Sequence, residues 1–488
     1  MALDRLDAVV IGAGVEGLAA AAALAKAGRA VTVVEREAEA APIGEGEDAV
    51  IALDLARTLD LASQGLRFAA APPVVGLSGE RALILWPDRS AAESAIAAFS
   101  ARDAEALEPF HARIARAAQG GELSASAWLT SASADGPPTD AVLFRVSPLA
   151  RLLDEAFDND LLKGLYAFGA IMGTGASPLA PASGVLLRRQ SMLAAVAPDA
   201  GHRFVAGGRP ELRRALLALL KFYNNADVRF AADVKEVTTE RDAVQAIVLV
   251  DGTTLRAPQV ISTLPAPRHR ELLAGLRRPL LFDQPSGAAV EPAHVKLTIG
   301  ALPKLPGLDT ATLASGAIVR FNPTIARLAR AHGAFRARAL SEDPCLELRV
   351  VPVAGHDKQR WNAHVRMPYV PLTTTEGPWA ASRRDALGAL CVRILDTIAP
   401  GFGASIEAAE LRHPKESETV MDPRGAAALT AMAALDLTGV PEPRAASATT
   451  PIKGLTVLEP SLFAGDGDAG LLAAGNSARP RTKAGADA

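Results

Sequence analysis

Three blocks of this 488-residue sequence predict an α/β fold. The first is an apolar run, Ala8-Val9-Val10-Ile11, which breaks into Gly12-Ala13-Gly14-Val15-Glu16-Gly17 and then into a helix-forming stretch from Leu18 to Lys26. Gly28 ends that helix, and Val31-Thr32-Val33-Val34 follows as a second strand closing on Glu35. The second block is a helix opened by Gly207-Gly208, with a strand pair and a return strand behind it. The third is Gly470-Leu471-Leu472-Ala473-Ala474-Gly475-Asn476-Ser477, an apolar strand running into small polar residues. Strand, glycine turn, helix, strand and terminal acid describe a Rossmann-like βαβ unit of the dinucleotide-binding kind.

Each residue of that unit has a physical task. Gly12 turns the chain sharply off the first strand, and Gly14, without a Cβ, lets a pyrophosphate approach the backbone. Gly17 allows the helix to pack closely on the sheet. The helix N-terminus offers N–H groups and partial positive charge to phosphates. Glu35 can accept hydrogen bonds from the hydroxyls of an adenosine ribose. A glycine-rich turn in some other α/β protein is the plainer alternative, but here every part of the unit agrees.

The length suggests two domains, which need not be consecutive in the sequence. A hydrophobic content of 49% and a charged content of 22% are ordinary for a globular protein. The net charge of −3 gives no basic field for nucleic acid, and no arginine–aromatic interleaving offsets it. Cys345 and Cys391 lie far apart and outside any CxxC, which excludes a disulfide scaffold, a cysteine zinc site and a redox-active dithiol. Both read as buried small apolar residues. The first strand begins close to residue 1, leaving no room for a leader, and no apolar stretch reaches spanning length. A cytoplasmic protein is expected, with shallow membrane contact left open.

Along the chain, Arg36 to Asp48 reads as an acidic loop and Val50 to Leu66 shows helical periodicity. Leu83-Ile84-Leu85-Trp86 reads as a strand, Ala91 to Ala118 as mostly one long amphipathic helix, and Gly120 to Pro138 as a loop. The helix from Gly207 is expected to reach about Phe222. Strands follow at Val228-Arg229-Phe230, Val234 to Val237, Val244 to Val250 and, after an Asp251-Gly252 turn, Thr254 to Ala257. Gln259 to Thr263 closes the block as a buried strand.

With these blocks the chain resembles the phytoene dehydrogenase-like flavoproteins, in the branch containing the pyridine nucleotide-disulphide oxidoreductase domain-containing protein 2 group. Gly12 to Gly17 with Glu35 carry most of the resemblance. Phe99-Ser100-Ala101-Arg102-Asp103-Ala104, Ile171-Met172-Gly173-Thr174-Gly175-Ala176-Ser177-Pro178, Gly207-Gly208, Ile261-Ser262-Thr263, the strand around Lys296 and Ala399-Pro400-Gly401-Phe402 continue it in the family's order. The resemblance implies FAD as the dinucleotide, on a domain assembled from 1–70, 201–268 and 416–488, with an inserted α+β substrate domain from 71–200 and 269–415. It also implies that the strand carrying Val234 lies near the adenine. The residues expected at the cofactor are Gly12, Ala13, Gly14, Gly17, Glu35, Arg36, Gly44, Val234, Gly475 and Asn476.

Two segments depart from the family. Pro42-Ile43-Gly44-Glu45-Gly46-Glu47-Asp48 stands where relatives carry a Gly-Gly pair, and its acids would repel the phosphates unless nearby cations compensate. Arg479, Arg481 and Lys483 replace glycines in the C-terminal turn, either to serve phosphates and a reduced flavin or as a solvated tail.

A flavin brings its own redox chemistry, so the groups of interest are those that reach its ring. Lys296, in His294-Val295-Lys296-Leu297-Thr298-Ile299, is the catalytic candidate. Its strand resembles one that carries a flavin-facing lysine in distantly related amine oxidases, where the ammonium holds a water near N5. The alternative is a lysine on a solvated strand face. His111 falls in the Ala91–Ala118 helix, while His202, His332, His356, His364 and His413 are expected in loops or near element ends. None has metal-ligand spacing, and no nucleophile elbow or Walker loop occurs, so neither a metal nor a nucleophile is assigned.

Aromatic residues make up 4% of the chain, too few to suggest an aromatic cage for an amine. The inserted domain is rich in Leu, Val, Ile and Ala, which could line an apolar pocket. The expected function is an FAD-dependent desaturase, dehydrogenase or flavin-assisted isomerase acting on a polyene-like or lipid-like molecule. A degenerate relative serving as a non-catalytic binding or scaffolding subunit is the alternative. An NAD-dependent dehydrogenase is the third reading, weakened by the lack of a second Rossmann half directly after the first.

Overall fold

The computed structural model describes residues 6–39, 49–119, 139–181, 183–187, 202–264, 272, 293–353, 360–371, 373–375, 377–378, 381–412, 448–449 and 452–457. The chain forms two compact units: Met1–Ala70, Ala195–Gly287 and Pro443–Ala488 make one, and Ala71–Ala194 and Ala288–Glu442 make the other.

In the first unit, Ala8–Ile11 pairs in parallel with Val31–Val34 on one side and Val260–Ser262 on the other. Ala226–Arg229 and Leu455–Val457 extend the parallel sheet outward, and Ala448–Thr449 runs antiparallel at its edge. All four residues of Ala8–Ile11 and of Val31–Val34 are buried, as expected for a parallel sheet covered on both faces. Alternation divides their side chains. Val10, Val33 and Ile261 meet the helices Val15–Lys26 and Gly208–Phe222 through Leu18, Leu24, Leu212 and Leu216. Val9, Ile11, Val34 and Val260 meet the three-stranded antiparallel layer of Val234–Glu240, Ala243–Leu249 and Thr254–Arg256.

The alanine-rich helix Val15–Lys26 has high intrinsic helicity and a slender face. It stops where Gly28 takes a left-handed φ of +81° and Arg29 N–H returns to Leu24 O. The expected elements of the first two blocks are present. Val50 to Leu66 departs from the helix predicted for it. Val50–Ala52 is a strand paired antiparallel with His202–Val205, and only Leu53–Thr58 and a 3-10 turn at Leu61–Gln64 are helical. A pairing partner this distant in sequence overrides local periodicity.

The second unit is built on a seven-stranded sheet, in the order Ile406–Arg412, Ala293–Ile299, Trp361–Met367, Leu346–Pro352, Ile318–Phe321, Val74–Ser78, Arg81–Leu85. Its pairs are antiparallel except for Ile318–Phe321 against Val74–Ser78. One face is apolar: Val295, Leu297, Val319, Leu348, Val350, Ala363 and Val365 pack with Leu387, Cys391 and Leu395 of the helix Ala381–Ile398. Cys345 and Cys391 are both buried, and burial pushes each thiol up to about 12, consistent with space-filling residues.

The amphipathic stretch after Trp86 forms two helices, Arg89–Ala97 and Ala101–Gln119, rather than one. They break at Ser100, whose Oγ accepts from Asp103 N–H at 3.2 Å. Asp103 is fully buried, and its carboxylate accepts from Asp158 N–H at 2.8 Å and Asn159 N–H at 2.7 Å. It thereby fixes the turn that leads into the helix Asp160–Ile171, whose N-cap is Asn159. Arg102, by contrast, makes an exposed ion pair with Asp158.

Asp103→Ala is therefore expected to cost about 3 kcal/mol of stability, since it removes two charge-assisted hydrogen bonds in the interior. Arg102→Ala is expected to leave stability close to wild type, because its ion pair is screened by solvent. Urea denaturation of the two variants checks this; equal losses would contradict the role given to Asp103.

Candidate functional site

The glycine loop has the geometry its sequence predicts. Gly12 has φ +103°, and a Cβ built there would lie 2.3 Å from Thr263 Oγ1. A Cβ on Gly17 would lie 2.0 Å from Gly12 O, a contact no side chain can make. Gly14 differs: its Cβ would meet only Glu16 Oε2, at 3.2 Å. Nothing in the fold therefore requires glycine at position 14, which fits a place kept open for a ligand. Gly14 is also the N-cap of Val15–Lys26, and no side chain caps that helix end.

Glu35 stands at the end of the adjacent strand. Its Oε2 accepts from Ala13 N–H at 2.7 Å and its Oε1 from Glu37 N–H at 3.0 Å. Each oxygen retains a lone pair for a further donor, such as a ribose hydroxyl. Arg36 is exposed on the same turn and ion-pairs with Glu37 at 3.2 Å. Val234 buries its side chain in the cluster of Val237, Val244 and Ile247, two residues beyond Ala232, whose N–H donates to Glu35 O at 2.7 Å. Gly44, Gly475 and Asn476 lie outside the described residues, as does Gly120 to Pro138.

Two arginines that the sequence reading did not single out complete this end of the sheet. Arg213, buried on the helix Gly208–Phe222, donates from Nε to Ala13 O at 3.2 Å and from Nη1 to Glu39 O at 3.3 Å. Its Nη2 is buried without a hydrogen-bond partner. Arg209, one turn earlier, clamps Glu16 with contacts of 2.9 and 3.1 Å. The run Arg209, Arg213, Arg214 in the first turns of a helix was the available signal. Arg213 thereby holds the backbone of Glu39, which falls within the stretch read as an acidic loop. The open backbone at Gly14, the uncapped helix end and the guanidinium nitrogen of Arg213 are donors of the kind a diphosphate accepts from, and Glu35 on the next strand is an acceptor of the kind a ribose hydroxyl donates to.

In the second unit, Lys296 lies mid-strand as expected, half-buried on the sheet face opposite the apolar core. Two histidines correct the sequence reading. His332 lies within the helix Ile325–Arg336 and His364 in the middle of the strand Trp361–Met367. The alternation of WNAHVRM was the overlooked signal for the latter. His364 Nδ1 is 2.9 Å from His294 Nε2. Among the described residues no group of three His, Cys, Asp or Glu could hold a metal ion.

Residues 7–68 match the family described as pyridine nucleotide-disulphide oxidoreductase. Over 97% of this chain and 92% of the relative, the sequence is 25% identical to mouse (Mus musculus) pyridine nucleotide-disulfide oxidoreductase domain-containing protein 2. The rat (Rattus norvegicus) protein of that name is 24% identical over the same shares. Among solved structures, putrescine oxidase bound to putrescine is similar with a TM-score of 0.57 and 14% identity, covering 97% of this chain and 98% of that one. Cyclohexylamine oxidase from Brevibacterium oxydans is similar with a TM-score of 0.52 and 16% identity over the same shares. The fold is thus a Rossmann-like α/β fold of the FAD-binding oxidoreductase type.

The glycine geometry separates two substitutions. Gly14→Ala is expected to fold with wild-type stability, within about 1 kcal/mol, yet to lose dinucleotide binding. Gly17→Ala is expected to be destabilised by about 3 kcal/mol or more, because backbone must move. Thermal melts with and without FAD check both; a Gly14→Ala variant that still gains stability from FAD would contradict the assignment.

Proposed function

We propose that this chain holds FAD at the Gly12–Gly17 loop and works as an FAD-dependent oxidoreductase. The observation that carries the reading is the Gly14 gap, flanked by the uncapped helix end and the orphaned Arg213 Nη2, with Glu35 on the neighbouring strand. Bound FAD would supply a ring able to accept a hydride at N5.

The chain's own groups have separate tasks in this reading. Glu35 binds the ribose hydroxyls, and the backbone at Gly14 with Arg213 binds and neutralises the diphosphate. Arg36 and the Val234 segment bound the adenosine side, and Gly44, Gly475 and Asn476 complete the cofactor contacts. Lys296 is the residue assigned to hold a water for the flavin's chemistry. The nucleotide domain comprises 1–70, 201–268 and 416–488, and the intervening segments hold a small organic substrate with an apolar body. The reaction is removal of hydride from a saturated carbon pair, or a redox-neutral isomerisation, and no nucleic acid takes part.

The amine chemistry in the names of putrescine oxidase and cyclohexylamine oxidase belongs to those proteins. Here the sheet face carrying Lys296 also carries Arg349 and Arg366. A non-catalytic subunit is a poor match for a loop that keeps room at Gly14 and one guanidinium nitrogen of Arg213 without a hydrogen-bond partner beside it. Among the described residues no helix is long and apolar enough to cross a membrane, and a cytoplasmic location is part of the same proposal.

Purified protein incubated with excess FAD and desalted is expected to keep a visible flavin band, at roughly one FAD per chain. Lys296→Met is expected to keep that band but to slow reoxidation of the dithionite-reduced flavin by oxygen by roughly 100-fold. A folded wild-type protein that retains no flavin contradicts the proposal. A Lys296→Met variant that reoxidises normally removes the role given to that lysine.

A further inference from the structure

A diphosphate at the glycine loop comes up against an acid of the loop itself. Glu16 lies in the first turn of Val15–Lys26, two residues beyond Gly14. Its Oε2 is the atom that a Cβ on Gly14 would meet, at 3.2 Å. The carboxylate therefore borders the opening that the missing Cβ leaves. Its side chain is only 12% exposed, so water and salt screen the charge in part at most. The dipole of its own helix favours a carboxylate there, with or without a partner. A phosphate oxygen entering beside Gly14 meets that same carboxylate as a like charge.

Arg209 meets this charge from 193 residues away in the sequence. Its Nη2 donates to both carboxylate oxygens, to Oε1 at 2.9 Å and to Oε2 at 3.1 Å, and its side chain is 15% exposed. Arg209 stands in the first turn of Gly208–Phe222, where the helix dipole disfavours a cation. That helix alone gives no reason for an arginine at this position; the contact with Glu16 does. One turn later the buried Arg213 reaches Ala13 O and keeps its Nη2 without a hydrogen-bond partner. Two arginines of one helix thus act on the loop in different ways. Arg213 holds its backbone, and Arg209 neutralises the acid that borders Gly14.

We propose that Glu16 and Arg209 together set the affinity of this site for a diphosphate ester. Glu16 opposes the ligand's charge, and Arg209 is a positioning residue that acts through Glu16 by cancelling it. The role rests on the reading of the glycine loop as a dinucleotide site, but not on which dinucleotide is bound. It gives the two residues effects of opposite sign: loss of the acid tightens binding, and loss of the arginine weakens it. Loss of both returns the site close to where it began, because the pair as a whole is neutral.

The test is equilibrium titration of the full-length protein with FAD, ADP and adenosine at one ionic strength. Arg209→Gln is expected to weaken ADP and FAD by about tenfold, and Glu16→Gln to tighten them by about threefold. Combining Glu16→Gln with Arg209→Gln is expected to restore ADP binding to within about threefold of wild type. Adenosine, which carries no phosphate, is expected to bind all four proteins within about twofold. A double variant as weak as Arg209→Gln overturns the proposal, since the arginine would then serve the ligand or the fold directly. An adenosine loss as large as that of ADP overturns it too. Glu16→Gln is nearly isosteric and still accepts from Arg209, so it decides alone if Arg209→Gln does not fold; unchanged or weaker ADP binding there overturns the proposal. Wild-type protein that binds ADP but not FAD leaves the pair's role standing and overturns the flavin reading. FAD binding that none of these substitutions alters does the reverse, and protein that binds neither nucleotide overturns both.

Discussion

The first crossing from strand to helix leaves no room for a methyl group, and the rest of the nucleotide unit depends on that. With Gly17 pressed against Gly12 O, the helix starts directly over the end of the first strand. Three strand ends are then drawn together at one point. Thr263 donates from both N–H and Oγ1 to Ile11 O, at 2.9 and 3.0 Å, and Gly12 N–H donates to Val34 O at 2.8 Å. Glu35, next along from Val34, is thereby brought to Ala13 N–H. The position of the acid follows from the glycines, and the donor geometry exists before any ligand arrives, which is the condition for binding without a large ordering cost.

Charge had to be arranged around that geometry. Glu16 occupies the first turn of the helix, a place that suits a carboxylate in isolation but sets it against a diphosphate. Arg209 takes up that charge. Arg213, four residues later on the same helix face, reaches both the glycine loop and the backbone of Glu39. The helix behind Gly207-Gly208 thus holds the glycine loop as well as filling the core.

Most of the first unit was legible because its signals are local. Four-residue apolar strands, glycines where turns require them and an alanine-rich helix can be read without knowing what lies across the sheet. What escaped reading was set by distant partners. Val50–Ala52 is a strand because His202–Val205 lies beside it, and His364 matters because it meets His294 across a strand pair. The lone lysine of His294 to Ile299 was visible as an oddity in an apolar alternation. The cations that surround it, Arg349 and Arg366, come from strands that had not been recognised. Asp103 was noticed as part of a motif, but its work, two backbone bonds to the start of another helix, needed coordinates.

The central claim is that Glu35 and the glycine loop form one dinucleotide site, and that its ligand is FAD. Equilibrium titration of FAD into wild type and Glu35→Ala, with NAD as competitor, tests this most directly. The account predicts that Glu35→Ala weakens FAD binding by about 100-fold, the loss of charge-assisted hydrogen bonds to the ribose, and that NAD does not displace FAD from wild type. Unchanged FAD affinity in the variant, or displacement by NAD at comparable concentration, would contradict it.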